Sequence, residues 1–149
     1  MQKKFDHPTE MFESENGYLG YLLRIASHSY RLKMEKALQP FSITPPQFTV
    51  LKIISVYPGY TNAEIARFAS LTPQTVNLMI NKLVQFGVIS KHAHPENKKV
   101  LCLKITSQGE TLLEQVTVEI NQLEENLELD FKQNEIKVIR KWLQHVINF

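Results

Sequence analysis

A single cysteine, Cys102, leaves this chain no intramolecular disulfide to form, so an apolar core has to hold it together. Glycine is almost as sparing, with Gly17, Gly20, Gly59, Gly87 and Gly109 scattered along the sequence, so a glycine-rich cradle for nucleotide phosphates is missing. A nucleophile elbow and a metal-ligand cluster are missing too, and neither an enzyme nor a resident cofactor or metal is expected. No run of about 18 apolar residues is long enough to span a membrane. The N-terminal stretch MQKKFDHPTEMFESENG lacks the apolar centre of a signal peptide, and the expected location is the cytoplasm. Strong charge of one sign is also lacking, since the formal net charge is +2. The 149 residues, 43% hydrophobic and 21% charged, suit one globular domain, alone or with a dimerising extension.

The segment from Thr61 to Thr106 has a definite order of signals. Thr61 and Glu64 have capping-box spacing, in which hydroxyl and carboxylate each satisfy the other residue's backbone N–H, and Ile65, Ala66 and Ala69 follow as an apolar stripe. A second helix opens at Thr72 with Pro73 in its first turn, where a missing N–H costs nothing, and stops at Gly87. Only Ser70 and Leu71 separate the two, which forces a sharp crossing and leaves one side of the second helix facing outward. Its inward side is Val76, Met79, Ile80 and Leu83; its outward side is Gln74, Asn77, Leu78 and Asn81, with Lys82 beside them and Gln85 below.

Beyond Gly87 the period changes to two. Val88, Ile89 and Ser90 lead into the polar tip KHAHPENKK, and Leu101, Leu103 and Ile105 then alternate with Cys102 and Lys104. This is a hairpin whose basic loop can lie against backbone or minor groove while the preceding helix sits in the major groove. Charge follows the same division: residues 61–106 carry six basic against two acidic side chains, and residues 107–149 carry four against eight. One part of the chain is thus suited to phosphate and another repels it.

The run Ile43-Thr44-Pro45-Pro46-Gln47-Phe48-Thr49-Val50-Leu51, then Asn62-Ala63-Glu64-Ile65-Ala66, then Leu83 to Gly87 with Val88-Ile89, and Leu103-Lys104-Ile105-Thr106-Ser107-Gln108-Gly109 resemble the MarR family of bacterial transcription regulators. The resemblance runs from roughly Tyr18 to the C-terminus. It implies a mainly α fold with a small β-wing: a winged helix-turn-helix over residues 45–106, with helices at 12–40 and 107–149 forming a dimerisation domain within a single chain of 1–149. Two departures stand out. Where the family commonly has an Asp-x-Arg at the wing tip, this chain has Asn97-Lys98-Lys99, and Leu78 occupies a recognition-helix position where an arginine is common. Lysine is a more strongly hydrated point charge than arginine.

The flanking helices have the apolar surplus that a dimer uses. From Gly17 to about Leu38, Leu19, Leu22, Leu23, Ala26, Tyr30 and Ala37 form one strip, and Tyr18, Tyr21, Ile25 and Leu32 a second. Thr44, Pro45 and Gln47 start another helix, with Phe48, Leu51 and Ile54 inward, ending near Pro58-Gly59. At the C-terminus Leu113, Val116, Ile120, Leu123 and Leu127 have coiled-coil spacing, repeated after a break near Lys132 to Asn134 by Ile136, Ile139, Leu143 and Val146. Packing against the first long helix uses part of this surface, and a symmetric homodimer would use the rest. It would space two reading heads roughly 34–36 Å apart and demand an inverted-repeat operator.

Double-stranded DNA is therefore the expected partner. Asn and Gln pair best with the N6 and N7 edge of adenine, and an aliphatic tip suits the thymine methyl, so Gln74, Asn77 and Asn81 with Leu78 anticipate an A/T-rich operator. Thr75 and Lys82 are placed on phosphates, and Lys91, Lys98, Lys99 and Lys104 on phosphates or the minor groove. The resemblance further implies release by a small aromatic or phenolic effector. The candidate residues are Tyr21, Arg24, Ile25 and His28 at helical spacing, with Phe48 and Leu51; core packing with a salt-bridged arginine is the competing reading. Alternation puts Cys102 on the face of Lys104, opposite Leu101, Leu103 and Ile105, and the thiol is read as structural. His92 and His94 with Glu96 lack a fourth ligand and read as exposed tip residues. The alternative function is a winged-helix protein-interaction module, an antirepressor or adaptor that does not bind DNA, which would account for the missing arginines.

Overall fold

The computed structural model describes residues 17–98 and 101–149, which fall into two units divided at Pro45 and Pro46. In the first unit, helix α1 (Leu19–Leu38) starts two residues later than its apolar pattern, because Tyr18 is extended and its carbonyl takes the N–H groups of Tyr21 and Leu22. A short 3-10 turn, Gln39–Phe41, ends at Ser42 in the left-handed region (φ 57°). Leu19 and Leu32 are exposed, while Leu22, Leu23, Ile25 and Tyr30 are half-buried. Arg31 pairs with Glu35 one turn on and also reaches the His28 ring at 3.3 Å.

The second unit is built on α2 (Pro45–Val56), α3 (Asn62–Ala69), α4 (Pro73–Gln85), the strands β1 (Ile89–Ala93) and β2 (Leu101–Ile105), and the helices α5 (Ser107–Glu128) and α6 (Gln133–Asn148). Val50, Leu51 and Ile54 from α2, Ile65 and Ala66 from α3, and Val76, Ile80 and Leu83 from α4 form one buried cluster with Val88, Ile89, Leu103 and Leu113. Three short helices and a two-stranded ribbon thus share a core that none could bury alone. The turn after α2 is fixed by Gly59 (φ 94°), whose N–H donates to the Leu103 carbonyl at 3.1 Å and ties the turn to the ribbon.

The strands pair antiparallel, Ile89 opposite Ile105 and Ala93 opposite Leu101. Simple alternation does not hold along β2. Cys102 and Leu103 are both buried, whereas Leu101 is 51% exposed. The unbroken register keeps Cys102 and Lys104 on one face of the strand, and that face is covered at Cys102 while Lys104 stays exposed.

Where the ribbon returns, α5 is clamped to the end of α4. Thr106 caps α5 by accepting from the Gly109 N–H at 3.1 Å, and its own hydroxyl donates to the Gly87 carbonyl at 2.6 Å. Gln108 adds a bond to the Phe86 carbonyl. The coiled-coil seam begins buried at Leu113 and Val116 and becomes exposed toward Leu127. The break falls at 129–132, slightly before the expected position, because Lys132 is extended and the Glu135 carboxylate accepts its N–H at 2.7 Å, starting α6. Arg140 of α6 then pairs with Glu128 of α5 at 2.6 Å across the hairpin.

Candidate nucleic-acid interface

The helix pair is set by the caps that the sequence contains. Thr61 accepts from the Glu64 N–H at 3.4 Å, and the Glu64 carboxylate accepts from the Thr61 N–H and hydroxyl, each at 2.8 Å. Those bonds, backbone first, hold the Glu64 carboxyl below its ordinary pKa, with a small further lowering from Arg67. Ser70 then turns in the left-handed region (φ 54°), and Thr72 caps α4 through the Thr75 N–H at 3.2 Å, with Pro73 in the first turn. Gly87 (φ 72°) turns the chain out of α4 toward the ribbon.

The consequence is a helix divided lengthwise. Val76, Ile80 and Leu83 have no exposed surface, while Gln74, Asn77, Leu78, Asn81 and Lys82 are exposed, Leu78 at 66%. A leucine kept that far out of a core is available for contact. Thr75, in contrast, is half-buried and its hydroxyl meets that of Thr72 at 2.8 Å. The amide row is also tied to its surroundings. Asn77 accepts from Asn62 at the start of α3 (3.2 Å), and Asn81 accepts from Lys91 on β1 (2.8 Å). Between them lies a cleft of about 290 Å³ lined by Thr61, Asn62, Asn77, Lys91 and Leu103. Recognition helix and ribbon thus meet along the outward face, and a convex helix beside a basic hairpin has the form of a duplex reader.

The MarR family model matches residues 43–101, which include α2, α3, α4 and β1. The HTH-type transcriptional repressor Rv2887 of Mycobacterium tuberculosis is 34% identical over 99 residues, covering 66% of this chain and 71% of the relative. The chain belongs to the MarR family. It is accordingly a DNA-binding transcription regulator with a winged helix-turn-helix. Among solved structures, a mutant MarR from Escherichia coli complexed with operator DNA aligns over 86% of this chain and 92% of that one (TM-score 0.78, 25% identity). Rv2887 in complex with p-aminosalicylic acid aligns over 87% and 98% (TM-score 0.68, 27% identity).

In this MarR-family chain the ribbon presents Lys91, Lys98 and Lys104 as exposed cations, whereas Lys99 lies outside the described residues. His92 bonds Ser90 at 2.8 Å and His94 accepts from the Glu96 N–H at 3.2 Å, so each ring has a local partner. Among the described residues no three His, Cys, Asp or Glu side chains gather around a point where a metal could sit. Of the candidate effector residues, Arg24 lies over the Tyr21 ring at 4.8 Å on α1, with Ile25 half-buried and His28 exposed. Phe48 is half-buried in the second unit and Leu51 has no exposed surface, being wholly committed to the core. Residues 12–16 of the expected N-terminal dimerisation segment fall outside the described residues. Sequence reasoning missed Asn62. Its position in the first turn of α3, facing a neighbouring helix that starts eleven residues later, was the available signal.

Proposed function

We propose that this MarR-family chain is a homodimeric repressor that reads an A/T-rich inverted repeat through α4 and straddles phosphates with its ribbon. The observation that carries the reading is the exposed row Gln74, Asn77, Leu78 and Asn81 on a helix whose opposite side buries Val76, Ile80 and Leu83 completely. Gln74 and Asn77 suit adenine, Leu78 suits the thymine methyl, and Asn81 is the third amide. Thr75, Lys82, Lys98 and Lys99 take phosphate or minor-groove roles. A dimer blocks polymerase simply by covering a promoter, which supports repression, as does the repressor name of Rv2887.

The complex of Rv2887 with p-aminosalicylic acid supports a small aromatic acid as the releasing effector. The Arg24 guanidinium over Tyr21 supplies the cation and ring that such an anion needs. Release requires the effector to favour a spacing of the reading heads that misfits the operator. No described helix is long and apolar enough to cross a membrane. Action on the cell's DNA supports a cytoplasmic location.

Selection of duplexes from a random pool tests the reading directly. The expected result is a palindromic consensus with A·T pairs at most positions contacted by α4. A G·C-rich half-site would refute the assignment of the readers, and no retained duplex even at low salt would replace the DNA reader with the protein-interaction module.

A further inference from the structure

Asn81 is exposed on α4, and its Oδ1 accepts a 2.8 Å hydrogen bond from Lys91 Nζ. An ammonium group carries donors only, so this pair admits one orientation of the amide: oxygen toward the wing, nitrogen away from it. The neighbouring contact has no such direction. Asn62 and Asn77 are both amides, and a joint flip exchanges their roles at the same 3.2 Å separation. Lys91 is therefore the residue that breaks the symmetry of the amide row, and it does so from a strand ten residues away from Asn81 in the chain.

We infer that Lys91 is a positioning residue which makes Asn81 a hydrogen-bond donor toward the base edge, so that its position in the operator selects guanine rather than adenine. The inference rests on the DNA reading proposed above and sharpens it at one position. A free asparagine favours adenine because it accepts from N6 while donating to N7. In this chain one lone pair of Oδ1 is engaged, and the adjacent positive charge weakens the other as an acceptor from a base amino group. Nδ2, on the other side of the amide, has no partner among the described residues and keeps both hydrogens. Guanine presents two acceptors, N7 and O6, in the major groove, and a donor beside a lysine complements that edge. Insertion into a groove removes the water that competes for an exposed Lys–Asn bond, so the bond is firmer where it matters.

The experiment is base-by-base substitution of the selected half-site, measured with the full chain, Asn81→Ala, Lys91→Met and the double variant. Asn81→Ala identifies its base by loss of preference at one position. There the wild type is expected to favour guanine over adenine by about tenfold, Lys91→Met to lose or reverse that preference, and Lys91→Met to change nothing further at that base once Asn81 is alanine. Thermal unfolding of each variant confirms that the fold is retained. Adenine preferred by the wild type overturns the inference, as does an Asn81→Ala variant whose preference is unchanged everywhere. A uniform loss of affinity in Lys91→Met, with its log–log salt slope reduced by about 0.9 and base preference intact, makes Lys91 a phosphate contact only and also overturns it. A wild type that selects no duplex overturns both this inference and the reading beneath it, whereas the other failures leave DNA binding standing.

Discussion

At the scale of single residues, Gly109 is the position where the chain has least freedom. A Cβ there would lie 2.0 Å from the Val88 carbonyl oxygen and 2.7 Å from the Ile105 side chain. One of those neighbours is backbone in the hinge between α4 and the ribbon, where Thr106 N–H already donates to the same Val88 oxygen at 3.1 Å. The clash cannot be relieved by rotating a side chain. Gly109→Ala is therefore expected to lower stability by about 3 kcal/mol, the upper end of the range for overpacking, seen as a fall in the urea midpoint. Gly20 gives the contrast, since it sits within α1 with nothing near its added methyl. Gly20→Ala should raise the midpoint by roughly 0.5–1 kcal/mol, the helix-propensity gain. Equal effects at the two sites would refute a steric role for the close approach of Gly109 to Val88.

At the scale of elements, α3 is only eight residues long and depends on its start. The Glu64 carboxylate is held below its ordinary pKa by the Thr61 backbone and hydroxyl, so its folded form binds a proton less readily than the unfolded chain. Its contribution is complete above the ordinary carboxylate range and is lost as pH falls through the lowered folded value. The stability difference between the wild type and Glu64→Gln should accordingly shrink on acidification, and a difference constant from neutral to acid pH would refute the capping account. Capping is also why these elements were legible beforehand. Thr61 with Glu64, Thr72 with Pro73, and Gly87 each write a helix boundary within four residues, and the inward positions Val76, Ile80 and Leu83 follow from period alone. The Lys91–Asn81 and Asn62–Asn77 contacts did not, because they depend on how the ribbon and α3 are set against α4. The burial of Cys102 also escaped alternation, since a period of two says which residues share a face and not how many faces are covered.

At the scale of the whole molecule, the acidic C-terminal third and the basic reading segment call for different partners. On α6, Ile147 is 79% exposed and Leu143 and Ile139 are each 38% exposed, although all three lie near the stripe that begins with buried Ile136. Leu127, on the facing end of α5, is 49% exposed. The α5–α6 hairpin is thus apolar beyond what its own pair covers, and in the proposed homodimer a second copy would cover it and supply a second reading head. The double change Leu143→Glu with Ile147→Glu places charge in that seam while leaving α3, α4 and the ribbon untouched. Sedimentation should show single protomers, helical content should persist, and affinity for the full operator should fall about 10²-fold while affinity for an isolated half-site holds, because only the avidity of paired heads is lost. Inserting five base pairs between the half-sites should weaken the wild type in the same way, since half a turn of duplex puts the second site on the opposite face. A variant that sediments alone yet binds the full operator as tightly as the wild type would mean that each head reads DNA independently, and the inverted repeat would have no physical basis.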